Sequence, residues 1–124
     1  MNRSSVTALA AALVMTGLAS PADAQQQFNG QWSVEVVTEK GECDKAYRYP
    51  VAVQNGRVSY AGTAPFEING RVAPTGAVQG SIVAPNNQGR ADVRGQLDGK
   101  WGTGTWVARG AMNCSGRWLA EKRS

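Results

Sequence analysis

The sequence predicts an all-β domain of eight short antiparallel strands, arranged as an up-and-down meander and closed into a small barrel with one disulfide. Three observations lead to this prediction. Apolar and polar residues alternate after residue 30 with no helical periodicity, and glycine recurs too often for stable helices. Turn signals separate the alternating segments, and the resulting strand order brings both cysteines to one end.

The first residues predict a secretory signal peptide. A basic start, Met1-Asn2-Arg3, precedes an uncharged apolar run from Ala8 to Leu18, which is shorter than the roughly 20 residues of a membrane-spanning helix. Ala22-Asp23-Ala24 is a small-x-small cleavage site. We therefore expect residues 1–24 to be removed near Ala24 and residues 25–124 to form a single periplasmic or secreted domain without a membrane span.

The strands are predicted from alternation with a period of two residues. In the first, Trp32, Val34 and Val36 share a face, and Ser33 and Glu35 lie on the other. The same pattern repeats along the rest of the chain. The eight predicted runs cover residues 32–36, 47–54, 58–60, 66–72, 78–82, 91–97, 101–107 and 116–122.

Asn55-Gly56 is the clearest hairpin signal in the chain. A two-residue turn there sets Val53 opposite Val58 and Val51 opposite Tyr60. The apolar faces of the two strands therefore agree in register, which supports the assignment.

Asp98-Gly99 is a second tight hairpin signal. With these two residues at the centre of the turn, the inward-facing residues of the two strands lie opposite one another. The expected pairs are Gly95 with Gly102, Val93 with Gly104 and Ala91 with Trp106.

A meander of this size closes most readily into a barrel, because closure removes the exposed strand edges. With an even number of strands the first and last lie side by side and antiparallel. The two hairpin turns, a third turn at Pro74-Thr75-Gly76 and the termini then share one end. Residues 39–46, 62–65, 84–89 and 108–114 form loops at the other. A two-sheet sandwich built from the same strands is the alternative.

The second end contains both cysteines of the chain, Cys43 and Cys114. In an oxidising compartment they are expected to form a disulfide. Closing so long a loop stabilises a small domain by roughly 4 kcal/mol in the chain-entropy model. We call the end of the barrel that contains both cysteines the stapled end. The end with the tight turns is the hairpin end.

Gly30-Gln31-Trp32 at the start of the first strand resembles the motif of the calycin group, which includes lipocalins, avidins and bacterial metalloprotease inhibitors. In that group the tryptophan plugs the closed end of the barrel and a basic residue of the last strand packs over it. The resemblance implies these roles for Gly30, Trp32 and either Arg123 or Lys122. It covers the first and last strands, and the cysteine placement departs from these families.

The residue content argues against an enzyme and against a resident metal or cofactor. The chain has no histidine, which excludes Ser–His and Cys–His nucleophiles and the usual zinc sites. Glu39, Glu42 and Asp44 lack the spacing of a calcium loop. Each glycine falls in a strand or a turn, so no loop is built to cradle a phosphate at a helix start.

The charge is basic but dispersed. The net charge of +4 is unchanged by loss of the leader, and single arginines are scattered through the mature chain. No run or helical stripe concentrates them, so the sequence indicates a solvated surface and no nucleic-acid partner.

The aromatic residues carry the remaining functional signal. Seven of them fall on the inward face of the strands. They form either a filled core or a shallow aromatic pocket at the open end of the barrel. Trp101 has outward parity and suggests a contact surface. The inward aromatic residues are Trp32, Tyr47, Tyr49, Tyr60, Phe66, Trp106 and Trp118.

We therefore expect a monomeric, non-enzymatic binding barrel that holds a small molecule or an envelope component at the stapled end, where the longer loops gather. The alternative is a protein-interaction barrel, such as an inhibitor of a secreted protease that uses the N-terminal Gln25-Gln26-Gln27. The predicted ligand-binding residues are Lys45, Tyr47, Asn86, Asn87, Trp106, Arg109 and Asn113.

Overall fold

The structure is a computed structural model and describes residues 26–87, 89–111 and 113–124. The predicted leader, residues 1–24, therefore lies outside the described residues. The predicted domain is described from Gln26 onward. No helix among these residues is long and apolar enough to cross a membrane. The strands are β1 (Gly30–Lys40), β2 (Ala46–Gln54), β3 (Arg57–Tyr60), β4 (Glu67–Val72), β5 (Ala77–Val83), β6 (Arg90–Asp98), β7 (Trp101–Arg109) and β8 (Cys114–Lys122), with one 3-10 turn at Pro85–Asn87.

The eight strands form one closed antiparallel barrel in chain order. β1 pairs with β2 on one side and with β8 on the other, so the first and last strands meet as predicted. The backbone N–H of Gln31 donates to Ser124 O at 3.2 Å, which ties the C-terminus to the start of β1. The all-β barrel is confirmed, and the sandwich alternative is excluded by the β1–β8 pairing.

The Asn55-Gly56 hairpin is confirmed in its register. Val53 lies opposite Val58 and Val51 opposite Tyr60. Asn55 and Gly56 have φ values of 50° and 80°, and both being positive is what a type I′ turn requires.

The predicted register of the β6–β7 hairpin is wrong by two residues. Gly99 and Lys100 occupy the turn, so Asp98 pairs with Trp101 and Gly95 pairs with Gly104. Gly99 adopts a φ of 61°, as a tight turn requires. A shift of two residues keeps every side chain on its predicted face, and the observed pairing gathers Gly95, Gly102 and Gly104 under the ring of Trp118.

The most deeply buried side chains lie toward the hairpin end of the barrel. Trp32, Val53, Val72 and Leu97 are buried next to the tight turns or the start of β1. Phe28 precedes β1 and is also buried; its backbone oxygen accepts a 2.9 Å hydrogen bond from Trp32 Nε1. Phe28 lies before the alternating segments, so the sequence pattern did not predict its burial. Its side chain helps to close the hairpin end of the barrel.

The disulfide between Cys43 and Cys114 is confirmed. It joins the β1–β2 loop to the first residue of β8, across the stapled end. Thr38 supports the same loop, because its hydroxyl donates a 2.6 Å hydrogen bond to Asp44 O and its backbone N–H donates to Lys45 O.

Candidate functional site

The interior of the barrel is not filled. It contains a cavity of about 220 Å³, which is lined mainly by aliphatic and aromatic side chains of the strands. Its floor includes Trp32, Val72 and Leu97 at the hairpin end. At the other end it reaches Asp44, Ala84 and other loop residues, so the cavity opens toward the stapled end.

Aromatic side chains of β2, β3 and the β3–β4 loop cluster at the cavity mouth. Tyr47, Tyr49 and Phe66 line the cavity, and Tyr60 packs against Tyr49 and Phe66. Tyr49 is the centre of this cluster, with its ring centroid 5.7 Å from Tyr47, 5.7 Å from Phe66 and 6.4 Å from Tyr60. The Tyr49–Phe66 and Tyr60–Phe66 rings are close to perpendicular, the edge-to-face arrangement that aromatic pairs favour. We call Tyr47, Tyr49, Tyr60 and Phe66 the aromatic rim.

Tyr47 connects this rim to solvent. It is 47% exposed although it also lines the cavity. Its hydroxyl donates to the carboxylate of Asp44, and this hydrogen bond is the main reason that the pKa of Tyr47 is raised. Asp44 therefore has a positioning role at the mouth, which its membership of an acidic loop cluster did not indicate.

Burial dominates the electrostatics of Tyr49. Desolvation, followed by the charge interactions with Tyr47, Tyr60 and Asp44, raises the pKa of its hydroxyl. Both tyrosines therefore remain neutral hydrogen-bonding groups through the physiological pH range, as suits a mostly apolar site.

Trp106 lies in the cavity wall. It is buried, and its indole N–H is shared between Val37 O and Arg117 O at 3.2 Å each. Its cross-strand neighbour on β8 is Gly116, where an added Cβ would overlap the carbonyl oxygen of Val37. The structure therefore brings Tyr47 and Trp106 together as lining residues of one cavity.

The other predicted ligand-binding residues lie around the mouth. Lys45, Asn86, Arg109 and Asn113 are exposed, and they are not among the described residues that line the cavity. Asn87 ends the 3-10 turn that begins at Pro85. The loops that carry these residues lie at the stapled end, as predicted, but the cavity is lined mainly by strand residues and by other loop residues such as Asp44 and Ala84.

The residues of the calycin-like motif meet at the hairpin end. Trp32 is paired across the β1–β8 ladder with Lys122. Lys122 is one of the two basic residues, with Arg123, that the resemblance offered for packing over the tryptophan. Gly30 has a φ of 142°, and a Cβ there would overlap the backbone of Ser124. Arg123 forms a 3.6 Å exposed ion pair with Glu121.

The outer face of the barrel carries a second, smaller apolar feature. Trp101 is 62% exposed, and Val107 and Leu119 are also exposed. Trp101 and Val107 lie on β7, and Leu119 lies on β8. Leu119 is paired with Thr103, which lies between Trp101 and Val107 along β7. The outward parity predicted for Trp101 is confirmed.

Among the described residues, no group of three or more Cys, Asp or Glu side chains is placed to hold a metal ion. Glu39 instead pairs with Arg117 at 3.4 Å, and Asp44 accepts from Tyr47. The fold and the site thus define a small disulfide-linked β-barrel with an apolar internal cavity. Comparison with protein-family models, with curated proteins and with solved structures finds no match to this chain.

Proposed function

We propose that this protein is a non-enzymatic binding barrel that takes a small apolar or aromatic molecule into its interior through the stapled end. The observation that supports this proposal is the cavity of about 220 Å³, which has a closed floor and an aromatic rim. Concave, mostly apolar cavities with few polar groups are where proteins hold small ligands.

The chemistry of the lining restricts the ligand. The polar groups near the rim include the tyrosine hydroxyls and the carboxylate of Asp44, and the described cation in the lining, Arg90, is already paired with Asp92. A neutral ligand with an aromatic or short aliphatic body suits these walls, because a buried charge without a partner is costly.

The disulfide contributes preorganisation. It holds the β1–β2 loop, which carries Asp44, against the start of β8. A mouth that is already ordered loses less conformational entropy when a ligand enters.

Two neighbouring residues of β7 provide a matched test. Ala108 faces the cavity between Ala91 and Cys114, whereas Val107 faces solvent. Ala108→Phe adds a ring inside the mouth, and Val107→Phe adds the same ring outside. We expect Ala108→Phe to weaken binding of the neutral probe N-phenyl-1-naphthylamine about tenfold or more, because the added ring takes up part of the cavity.

The measurement is a fluorescence titration of the folded variants, with Ala91→Phe as a second cavity-filling change. Val107→Phe is expected to bind like the unmodified protein. Equal affinity in the inner and outer variants, or no probe binding by the unmodified protein, would contradict the proposed cavity site.

A protein-interaction role is the second candidate, and the exposed Trp101, Val107 and Leu119 favour it. Native mass spectrometry of the protein from its producing cell separates the two functions. A retained small molecule supports the cavity, whereas a co-purifying protein that is lost on Trp101→Ala supports the outer surface.

A further inference from the structure

Barrel closure brings together arginines that are far apart in the sequence. On the outer face Arg57 of β3 lies directly opposite Arg71 of β4. Arg71 lies opposite Gln79, and Gln79 lies opposite Arg94 of β6. Arg57, Arg71, Gln79 and Arg94 therefore form one continuous exposed row across four strands, which we call the basic row.

The basic row lacks carboxylate partners. Among the described residues, Arg57, Arg71 and Arg94 form no ion pair. Other arginines of the barrel do form ion pairs. These pairs are Arg48–Glu35, Arg90–Asp92, Arg117–Glu39 and Arg123–Glu121.

The arrangement of the row opposes the stability of the free protein. Side chains directly opposite one another in an antiparallel pair have Cβ atoms roughly 5 Å apart, and like charges there are destabilising. Arg57 and Arg71 are such a pair. Solubility needs only dispersed charge, so it does not explain two directly opposed guanidinium groups with a third two strands away in the same row.

The shape of this face also suits a ligand. A groove of about 680 Å³ follows the basic row, and the neutral donors Ser59, Asn69 and Ser81 line it as well. β3 and β4 pair at only two positions, Arg57 with Arg71 and Val58 with Gly70, so their ladder stops where Ser59 and Asn69 begin. The described carboxylate in the groove, Asp92, is held by Arg90 at 3.3 Å.

We propose that this groove binds an anionic ligand that carries at least two phosphate groups. Guanidinium forks match phosphate oxygens bidentately, and hydroxyl and amide groups supply further donors. At roughly 4.8 Å per strand the basic row is about 14 Å long, so one phosphate cannot contact all of it. The arginines of the basic row lie on the outer face of the barrel, and the groove shares lining residues such as Val58, Gly70 and Val93 with the apolar cavity.

Inorganic tripolyphosphate is the first probe, tested by isothermal titration calorimetry and by thermal unfolding against sodium chloride of equal ionic strength. The triple variant Arg57→Gln/Arg71→Gln/Arg94→Gln is compared with Arg48→Gln/Arg117→Gln/Arg123→Gln, which removes the same charge elsewhere. We expect the first to weaken binding about tenfold or more and the second to change it little, because charge-assisted hydrogen bonds are lost only in the first.

Thermal unfolding provides a separate measurement if affinity is modest. Tripolyphosphate is expected to raise the Tm of the unmodified protein above the matched chloride control, and Arg71→Gln is expected to abolish that gain without lowering the Tm of the free protein. Equal loss of binding in both triple variants would show a diffuse charge effect and overturn the proposal. Absence of any effect beyond chloride would overturn it as well.

Vesicle sedimentation distinguishes a lipid headgroup from a free phosphorylated solute. Binding to cardiolipin vesicles, whose headgroup carries two phosphates, assigns the phosphates to a lipid if that binding depends on the basic row. Binding to tripolyphosphate without binding to these vesicles assigns them to a solute. Equal binding to neutral phosphatidylcholine vesicles would contradict phosphate recognition.

Discussion

Single side chains show how tryptophan and glycine share space in this barrel. The ring of Trp118 lies against Gly95, Gly102 and Gly104, and a Cβ added at Gly95 or Gly104 would overlap it. Its indole N–H donates a 3.0 Å hydrogen bond to Arg94 O, so the buried polar atom is satisfied. Large rings can therefore occupy a narrow barrel because their neighbours have no side chains.

Tyr49 provides a prediction at the same scale, because its pKa is raised above the ordinary value of 10.0 mainly by burial. The unfolded chain ionises this hydroxyl at a lower pH than the folded chain and so binds fewer protons above pH 10. Its contribution to stability is fully present below pH 10 and is lost as pH rises through the folded pKa.

We therefore expect the free energy of unfolding to fall more steeply above pH 10 in the unmodified protein than in Tyr49→Phe. Urea titrations at several pH values from neutral to strongly alkaline measure the difference. Parallel pH profiles for the two proteins would show that the Tyr49 hydroxyl is not preferentially neutral in the fold.

The strands show how local signals and packing together decide register. Asn55-Gly56 has the backbone of its turn type, and its pairing follows from the sequence. At Asp98-Gly99 two turn placements keep the same inward face, so alternation cannot distinguish them. The placement with Gly99-Lys100 in the turn sets Gly95 opposite Gly104, and the packing of Trp118 favours it.

The disulfide is the element-scale feature with the largest expected effect on stability. It links positions separated by 71 residues. We expect Cys43→Ser/Cys114→Ser to lower the free energy of unfolding by about 2–5 kcal/mol, because the unfolded chain gains the freedom that the bridge removes.

Urea unfolding followed by tryptophan fluorescence measures this loss. Dithiothreitol is the matched control, since it should destabilise the unmodified protein and leave the double variant unchanged. Two free thiols per chain in denatured, unreduced protein would contradict the bridge.

At the scale of the whole molecule, closure creates two different surfaces from one sheet. Inward residues of all eight strands enclose the apolar cavity, and outward residues of β3 to β6 form the basic row. The hairpin end is closed by Phe28 and Trp32, and the stapled end is held by the disulfide.

Export is the prediction that concerns the whole chain. If the leader is cleaved near Ala24, the protein isolated from its producing cell should begin at Gln25 and contain the disulfide. Intact mass measurement before and after reduction tests both expectations. A mass that includes Met1 to Ala24 would contradict cleavage.

The sequence by itself predicted the strand order, the inward face of each strand and the cysteine pair, and it favoured a closed barrel over the sandwich that the β1–β8 pairing then excluded. These follow from local rules, because the period of alternation and the turn residues act over a few positions. It also placed Tyr47 and Trp106 on the inward face, although it did not show that the interior holds a cavity. The space inside a barrel depends on how all the inward side chains pack against one another.

Only the tertiary structure decided the β6–β7 register, the plug formed by Phe28 and the meeting of Arg57, Arg71 and Arg94. Arg57 and Arg71 are 14 positions apart and Gln79 and Arg94 are 15 positions apart, and each pair becomes neighbours only when the strands pair. Scattered single arginines therefore indicated a uniform surface, whereas strand pairing collected three of them in one row. Contacts between distant segments depend on the closed sheet as a whole, which no local pattern records.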